Sequence, residues 1–304
     1  MHHYSAFHLA IQSALAFPEL LPSTTALLTP DITIQYGAVS KEGLSHPTTR
    51  GLFYQATEQT FWLHVPKIAH FLMEEGTQLT IDPTQGIDED SLRVFILGSC
   101  FGALLMQRNL LLLHGNAIQI NNVCVSFVGH SGAGKSTLSA AFFKRGYGIL
   151  ADDVCAITHT GQVVPSFPQI KLWQDAAHHL EIDTSTARKI RPAIEKYAIP
   201  LNTRFQPNAL PLKVVYSLQS HNIDKIQLES LHGIKKLSPI QNHTYRKSYL
   251  KGLLRDKTHW VRCAELAKQT AVVRLTRPRE GFQLDNLVTV IENDLQQRGF
   301  LHDD

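Results

Sequence analysis

The sequence predicts an α/β protein with a small β-rich N-terminal region and a larger α/β domain built around a glycine-rich loop. Three observations support this prediction. About the first ninety residues alternate short apolar runs with Gly, Pro, Asp and Glu, which is typical of short antiparallel strands. From Leu110 onward, strand-like runs alternate with helix-like runs. Within that part, a strand, a loop and a helix follow each other directly between Val123 and Gly146.

Length, charge and cysteine usage restrict the class of protein. A chain of 304 residues with 43% hydrophobic residues can bury the core of one large domain or of two modest ones. Its formal net charge is only +3, and its sequence contains no block of like charges. We therefore expect neither nucleic acid nor a membrane as a partner. The cysteines form no CxxC pair, and we expect reduced core thiols, no secretory signal and a cytoplasmic location. They are Cys100, Cys124, Cys155 and Cys263.

The N-terminal region ends in a predicted helix that joins the two parts. Segments such as "DITIQYG", "TFWLHVP" and "AHFLMEEG" predict a mostly antiparallel β unit before it. Asp88 suits the helix cap, Glu89 and Asp90 suit the first turn, and the apolar body runs to Met106. This apolar body is too short to cross a bilayer and suits a buried helix. The predicted domains are therefore 1–109 and 110–304.

The glycine-rich loop matches the pattern G-x-x-x-x-G-K-[ST]. The strand "VCVSFVG" precedes it, and the helix-like run "KSTLSAAFFKRG" follows it with Gly146 as a stop. Glycines allow successive backbone N–H groups to converge on phosphate oxygens, and the helix N-terminus adds a favourable potential. The loop therefore predicts a nucleotide phosphate site, although a structural glycine turn beside an unrelated lysine is the alternative. The predicted binding residues are Gly129, Ser131, Gly132, Ala133, Gly134, Lys135, Ser136 and Thr137.

Two adjacent aspartates, Asp152 and Asp153, follow the apolar run "YGILA". A carboxylate at the end of a strand beside such a loop is typical of nucleotide hydrolases, where it holds Mg²⁺. Lys135 would then bring its charge to the β- and γ-phosphates, and Ser136 could ligate Mg²⁺. Successive strand side chains point to opposite faces, so both aspartates serve one site only if the strand has ended there. Alternatively, one of them is an ordinary turn residue.

Two further segments of the second domain have predicted roles. A helix is expected from Trp173 to Leu180, and the basic residues that follow it form either a solvated surface or a source of cations for phosphoryl transfer. Among them, Arg191 and Lys196 are the candidate substrate-binding residues. The C-terminal run "LDNLVTVIENDLQQRG" is amphipathic and predicts a helix that docks on the core.

The stretch "HGNAIQINNVCVSFVGHSGAGKSTLSAAFFKRGYGILADDV" resembles the catalytic core of the bacterial HPr kinase/phosphorylase family, whose fold is shared with phosphoenolpyruvate carboxykinases. In that family a His opens the strand before the loop, and an Asp pair closes the strand after the helix. His114, Lys135, Asp152 and Asp153 match these in order and spacing. The resemblance implies that Asp152 accepts the substrate proton and that Asp153 lies on the metal side with Ser136. It also suggests that His114 orients one carboxylate, whereas its residue type alone favours an ordinary hydrogen-bonded histidine.

Over nearly its whole length the chain resembles the HPr-kinase-like serine kinases of lasso-peptide and other modified-peptide gene clusters. Segments that carry this resemblance include "PSFPQIKLWQDA", "RPAIEKYAIPL" and "AVVRLTRP". The glutamate-containing signature of true HPr kinases is not recognisable in "VVPSFPQIKLWQDA". The resemblance implies a kinase that uses ATP and Mg²⁺ and phosphorylates a serine of a peptide or small protein, with a lasso-type precursor peptide favoured. An HPr-directed regulatory kinase, a small-molecule kinase and a nucleotide-binding switch that transfers nothing stay open, as does homo-oligomerisation.

Overall fold

A computed structural model describes residues 1–23, 29–185, 187–191, 194–201, 204–279, 281 and 284–301. The chain divides into two compact units. The first comprises Met1–Leu112 together with Tyr245–Arg262, and the second comprises Leu113–Thr244 together with Cys263–Asp304. In the described ranges, no helix combines the length and apolar character needed to cross a membrane.

The first unit contains a sheet that has nine strands among the described residues. They are β1 (His2–Ala6), β2 (Leu9–Ser13), β3 (Leu21–Pro22), β4 (Ile32–Tyr36), β5 (Thr49–Arg50), β6 (Tyr54–Ala56), β7 (Thr60–Val65), β8 (Ala69–Glu74) and β9 (Gln78–Pro83). The spatial order is β3-β1-β2-β4-β9-β8-β7-β6-β5. Only the β2–β4 and β4–β9 pairs are parallel, so this sheet is mostly antiparallel, as the alternating pattern predicts.

The helix after this sheet is interrupted by one wide turn. α1 (Glu89–Phe95) and α2 (Phe101–Gln107) flank a π-helical turn at Ile96–Cys100. Asp88 caps α1, because its side chain accepts a hydrogen bond of 2.7 Å from the Ser91 backbone N–H. The π-helical turn and α2 are fully buried. The predicted cap and buried apolar body of this helix are confirmed.

The second unit combines two sheets with helices, which gives a mixed α/β architecture with several sheets. Its strands are β10 (Leu111–Ile120), β11 (Val123–Gly129), β12 (Ile149–Ala151), β13 (Val154–Ile157), β14 (Gln162–Val164), β15 (Gln169–Trp173), β16 (Arg188–Arg191), β17 (Ile194–Pro200), β18 (Leu210–His221), β19 (Gln227–Leu231) and β20 (Ala271–Pro278). The larger sheet runs β11-β10-β13-β14-β18-β20-β19, with β12 beside β10. Because β11 also pairs with β18, five of these strands close into a ring. The smaller sheet has the order β15-β17-β16.

The strand pairings in the larger sheet are partly parallel, as expected. β18 runs parallel to β11 on one side and to β20 on the other. The carboxyl ends of these three strands therefore lie at one edge of the sheet. This edge carries the glycine-rich loop, which follows β11 directly.

The remaining helices pack around the sheets. They are α3 (Lys135–Lys144), α4 (Gln174–His179), α5 (Leu237–Asn242), α6 (Ser248–Gly252), α7 (Asp256–Gln269) and α8 (Leu284–Gln297). α8 buries Leu287, Val288, Ile291 and Leu295 against the core, so the predicted docking helix is confirmed. The helix predicted from Trp173 to Leu180 corresponds to α4.

The division of the chain differs from the predicted boundary at residues 109 and 110. Tyr245–Arg262 lies in the first unit, although the predicted boundary places everything after residue 109 in the second. The physical reason is aromatic packing: the Tyr249 ring centroid lies 4.3 Å from that of Phe61 and 5.1 Å from that of Tyr54. Such long-range contacts leave no local signal in the sequence.

Candidate active site

The glycine-rich loop joins the buried strand β11 to α3. Gly132 and Gly134 have φ values of 81° and 96°, in the left-handed region that favours glycine. Gly134 is the residue that precedes the first turn of α3, and its carbonyl accepts a hydrogen bond from the Leu138 N–H. The loop therefore presents the unpaired N–H groups of a helix N-terminus, which suits an anionic group.

Lys135 begins α3 and folds back along the loop. Its Nζ donates to the carbonyl oxygens of Gly129 (2.9 Å) and His130 (3.2 Å), and the residue is only 7% exposed. Burial lowers the pKa of Lys135, and the neighbouring carboxylates of Asp153 and Asp152 oppose that effect. The ammonium group is therefore held at the rim of the loop with negative charge beside it.

The two aspartates lie where β12 has ended. Asp153 has a φ of 74°, and the Val154 N–H donates to the Asp152 carbonyl oxygen at 3.0 Å. The chain thus turns sharply at this pair, and aspartate tolerates the left-handed conformation better than most residues. The condition under which both carboxylates can serve one site, that the strand has ended, is met.

Asp152 is buried and bonded to the loop. Its Oδ1 accepts hydrogen bonds from Ser136 Oγ (3.0 Å) and from Asn116 Nδ2 (2.5 Å), and its Oδ2 accepts one from the Lys171 backbone N–H (2.7 Å). Burial raises the pKa of Asp152 above its ordinary value, although the charge and the N–H of Lys171 stabilise the ionised form. This carboxylate therefore lies on the side of the loop serine.

Asp153 faces the cleft and has different partners. Its Oδ1 lies 3.2 Å from His114 Nδ1, and its Oδ2 lies 3.4 Å from Lys171 Nζ. Burial opposes its ionisation, but the hydrogen bond from His114 and the charge of Lys171 outweigh burial and hold the pKa of Asp153 well below its usual range. Because His114 Nδ1 also lies 3.2 Å from the Asp153 carbonyl oxygen, Nδ1 is the nitrogen that carries the proton.

Two of these contact residues were missed in the sequence analysis. Asn116 is fully buried and lies two residues after His114 on β10, and its Oδ1 has no hydrogen-bond partner in the part of the chain that the structure describes. Strand periodicity places these two residues on the same face, so this signal was available. Lys171 lies on β15 and touches both aspartates, but no local pattern marks it.

A cleft of about 740 Å³ contains the loop and Asp153. His114, Asn116 and Lys196 also line it, and Lys196 Nζ lies 5.7 Å from the centre of the Trp173 ring. Lys196 therefore lies in the same cleft as the loop and Asp153. Arg191 ends β16, and its side chain lies outside the described residues. The loop residues Ser131, Gly132, Gly134, Lys135, Ser136 and Thr137 line the same cleft.

A further histidine packs beneath the loop. His243 is 9% exposed, its carbonyl oxygen accepts a hydrogen bond of 2.7 Å from the His114 N–H, and its ring centroid lies 5.2 Å from that of His130. Burial lowers the pKa of His243 to about 4, and the nearby positive groups act in the same direction. This side chain is neutral near pH 7.

The oxygen atoms at the loop fit a divalent cation of the magnesium type. Ser136 Oγ and Asp152 Oδ1 lie 3.0 Å apart, and Mg²⁺ is usually held by one or two protein oxygens together with phosphate oxygens. Within the described ranges, no cluster of three or more His, Cys, Asp or Glu side chains is arranged to hold a metal ion.

No protein-family model matches the chain, and no curated protein matches its sequence. Among solved structures, the Hpr(Ser) kinase/phosphatase from Coxiella burnetii is similar to it. The two are 14% identical, the match covers 62% of this chain and 93% of the other, and the TM-score is 0.28. This similarity is distant.

Proposed function

We propose that this chain is an ATP- and Mg²⁺-dependent kinase that transfers the γ-phosphate to a serine hydroxyl of a peptide or small protein. One observation carries the proposal: the loop, its lysine and a carboxylate bonded to a histidine line a single cleft. Phosphate binding requires the first two, and proton removal from an alcohol requires the third. The cleft is large enough to admit an acceptor beside the phosphates.

The contacts in the cleft support a separate role for each of its residues. The N–H groups at the start of α3 bind the phosphate oxygens, and Lys135 offsets the charge that develops during transfer. Ser136 and Asp152 are the residues that would hold Mg²⁺, which when bound neutralises charge on the phosphates. The serine oxygen bonds to the γ-phosphorus while Asp153 accepts the hydroxyl proton. The bond between the γ-phosphorus and the β-phosphate oxygen breaks, which releases ADP.

This division exchanges the two roles that the resemblance implied, which made Asp152 the base and Asp153 the metal-side residue. Asp152 is 4% exposed, is bonded to Ser136, and already accepts hydrogen bonds at both carboxylate oxygens. Asp153 lines the cleft, where a substrate hydroxyl can reach it. His114 and Lys171 then act as positioning residues, because they hold the Asp153 carboxylate ionised and in one orientation.

The acceptor is proposed from the resemblance to kinases of modified-peptide gene clusters. A precursor peptide with a serine at or near its C-terminus could enter the cleft past Lys196 and Trp173. Lys196 supplies a cation there, and Trp173 is 52% exposed, which suits contact with an extended chain.

The test is phosphate transfer by the full chain. The protein is incubated with ATP, Mg²⁺ and either a precursor peptide encoded beside its gene, HPr or a panel of hydroxyl-bearing small molecules. We expect the peptide to gain about 80 Da on a serine, as mass spectrometry would show. Phosphorylated HPr with unmodified peptide would overturn the peptide proposal and leave the kinase chemistry standing. ATP binding or hydrolysis with no labelled acceptor would identify a nucleotide-dependent switch.

A further inference from the structure

A second, smaller cleft borders the loop on the side away from the aspartates. Its volume is about 170 Å³, and it shares Gly132, Gly134 and Thr137 with the main cleft. An apolar cavity of about 150 Å³ is enough to bind a benzene ring, so this volume is of the size that a flat ring system requires.

The walls of the smaller cleft are apolar and come from the C-terminal part of the second unit. Ile226 precedes β19, Pro278 ends β20, and Leu284 and Leu287 lie in the first turn of α8. The cleft thus lies outside the carboxyl end of β20, which is parallel to β18 and, through it, to β11. In α/β proteins, ligands bind at the carboxyl ends of parallel strands.

The two clefts differ in chemistry. Of the described residues, those lining the smaller cleft include no carboxylate and no histidine, whereas the main cleft contains Asp153 and His114. The acceptor hydroxyl must lie beside the base, so the main cleft receives the acceptor. The apolar walls adjoin Gly134 and Thr137, so a phosphate chain bound at these two residues can continue directly to those walls.

We infer that this apolar cleft binds the nucleobase of the nucleotide, an inference that rests on the proposed function. Arg277 supports it: its guanidinium Nη2 lies 4.0 Å from the position that a Cβ atom on Gly134 would take, and its Nη1 donates to the Pro278 carbonyl oxygen at 3.1 Å. The planar cation is therefore located where the phosphate chain ends and the base begins. A guanidinium group in that place contacts phosphate oxygens and stacks on an aromatic ring.

The decisive experiment compares ATP with inorganic tripolyphosphate, which has the phosphates but no base. Affinities are measured in Mg²⁺ by calorimetry for the full chain and for Ile226→Trp, which fills the cleft. The matched control is Leu228→Trp, because Leu228 also packs partly buried against the core but does not line the cleft. Leu284→Ala serves as a second variant that removes apolar wall without adding bulk.

We expect the unmodified chain to bind ATP at least about tenfold more tightly than tripolyphosphate. Ile226→Trp should lower ATP affinity to the tripolyphosphate level and leave tripolyphosphate affinity unchanged, which also shows that the variant is folded. Leu284→Ala should lose part of the preference, and Leu228→Trp should keep it.

Equal affinity of the unmodified chain for ATP and tripolyphosphate would overturn this inference and leave the loop assignment intact. If Ile226→Trp fails to bind tripolyphosphate, Leu284→Ala decides, and an unchanged preference for ATP in that variant also overturns the inference. Binding of neither ligand by the unmodified chain would overturn the proposed function itself. Preferential ATP binding without transfer to any acceptor would refute the kinase proposal alone.

Discussion

Replacing each aspartate by asparagine separates the two proposed carboxylate roles. Asp153→Asn keeps the shape of the side chain but removes the acceptor of the substrate proton. A positioned base contributes about 10²–10⁴ in rate, so the barrier should rise by about 3–5 kcal/mol. His114 and Lys171, the two partners of the carboxylate, both donate, and neither belongs to the loop. Nucleotide affinity should therefore change by less than about threefold.

Asp152→Asn should behave differently, because one of its donor partners, Ser136, belongs to the glycine-rich loop. Ser136 Oγ, Asn116 Nδ2 and the Lys171 N–H point at its two oxygens, so an amide must turn its own NH₂ group toward at least one of them. An unpaired buried donor costs about 1–3 kcal/mol, offset in part because the buried charge is removed. Without the carboxylate beside Ser136, we expect the Mg²⁺ concentration for half-maximal rate to rise more than about tenfold.

The assay is single-turnover transfer at saturating ATP over a series of Mg²⁺ concentrations, with both variants and the unmodified chain. Asp153→Asn should slow the transfer step with an unchanged Mg²⁺ requirement. Asp152→Asn should raise that requirement and recover much of its rate at high Mg²⁺. The reverse pattern, in which Asp153→Asn shifts the Mg²⁺ requirement and Asp152→Asn only slows transfer, would refute the reasoning and restore the roles implied by the resemblance.

Three further predictions concern single side chains. Lys135→Ala removes the cation of the loop, so transfer should disappear and the ATP dissociation constant should rise at least about tenfold in calorimetry; near-normal turnover would contradict the loop assignment. The folded-state pKa of His243 is lowered to about 4 while the unfolded residue titrates near about 6.5, so the unfolded state takes up the proton first as the pH falls. The free energy of unfolding should therefore drop by about 2 kcal/mol between about pH 7 and about pH 5 in denaturant titrations, and His243→Gln should lack this part of the drop. The same dependence of the unfolding free energy on pH in both proteins would refute this prediction. Tyr216→Phe deletes a fully buried hydroxyl that donates to Asp294 Oδ2 at 2.7 Å, which should cost about 1.5–3 kcal/mol in chemical denaturation, and an unchanged midpoint would count against that bond.

The parts that sequence predicted well are those whose physics is local. The strand, loop and helix around Gly134 follow from glycine conformations, helix capping and apolar periodicity over a short window, and the structure has β11 and α3 at those positions. Strand periodicity gave a turn at Asp152 and Asp153 as the condition for a shared site, and the structure has that turn. Asn116 could also have been found, because it follows His114 by two positions on one strand.

Long-range placement explains what the sequence did not reveal. Lys171 becomes part of the site only because β15 lies beside the aspartate turn, and its own surroundings in the sequence give no hint of that. The basic residues after α4 were predicted to form either a solvated surface or a source of cations, and neither prediction included the strand Arg188–Arg191, which pairs with β17. In both cases, the environment is created by residues distant in the chain, which pattern analysis of a window does not include.

The discontinuity of the first unit has a consequence for how such a chain can be recombined or cut. Its C-terminal portion, Tyr245–Arg262, is encoded more than a hundred residues after its N-terminal portion ends at Leu112. A single crossover between the codons of Phe61 and Tyr249 in two homologous genes would therefore combine Phe61 from one parent with Tyr249 from the other. Exchange of the unit requires a double crossover, and an expressed fragment that stops at Leu112 would lack the ring that covers Phe61. Recombination therefore preserves the packing of this unit only if both of its portions come from the same parent.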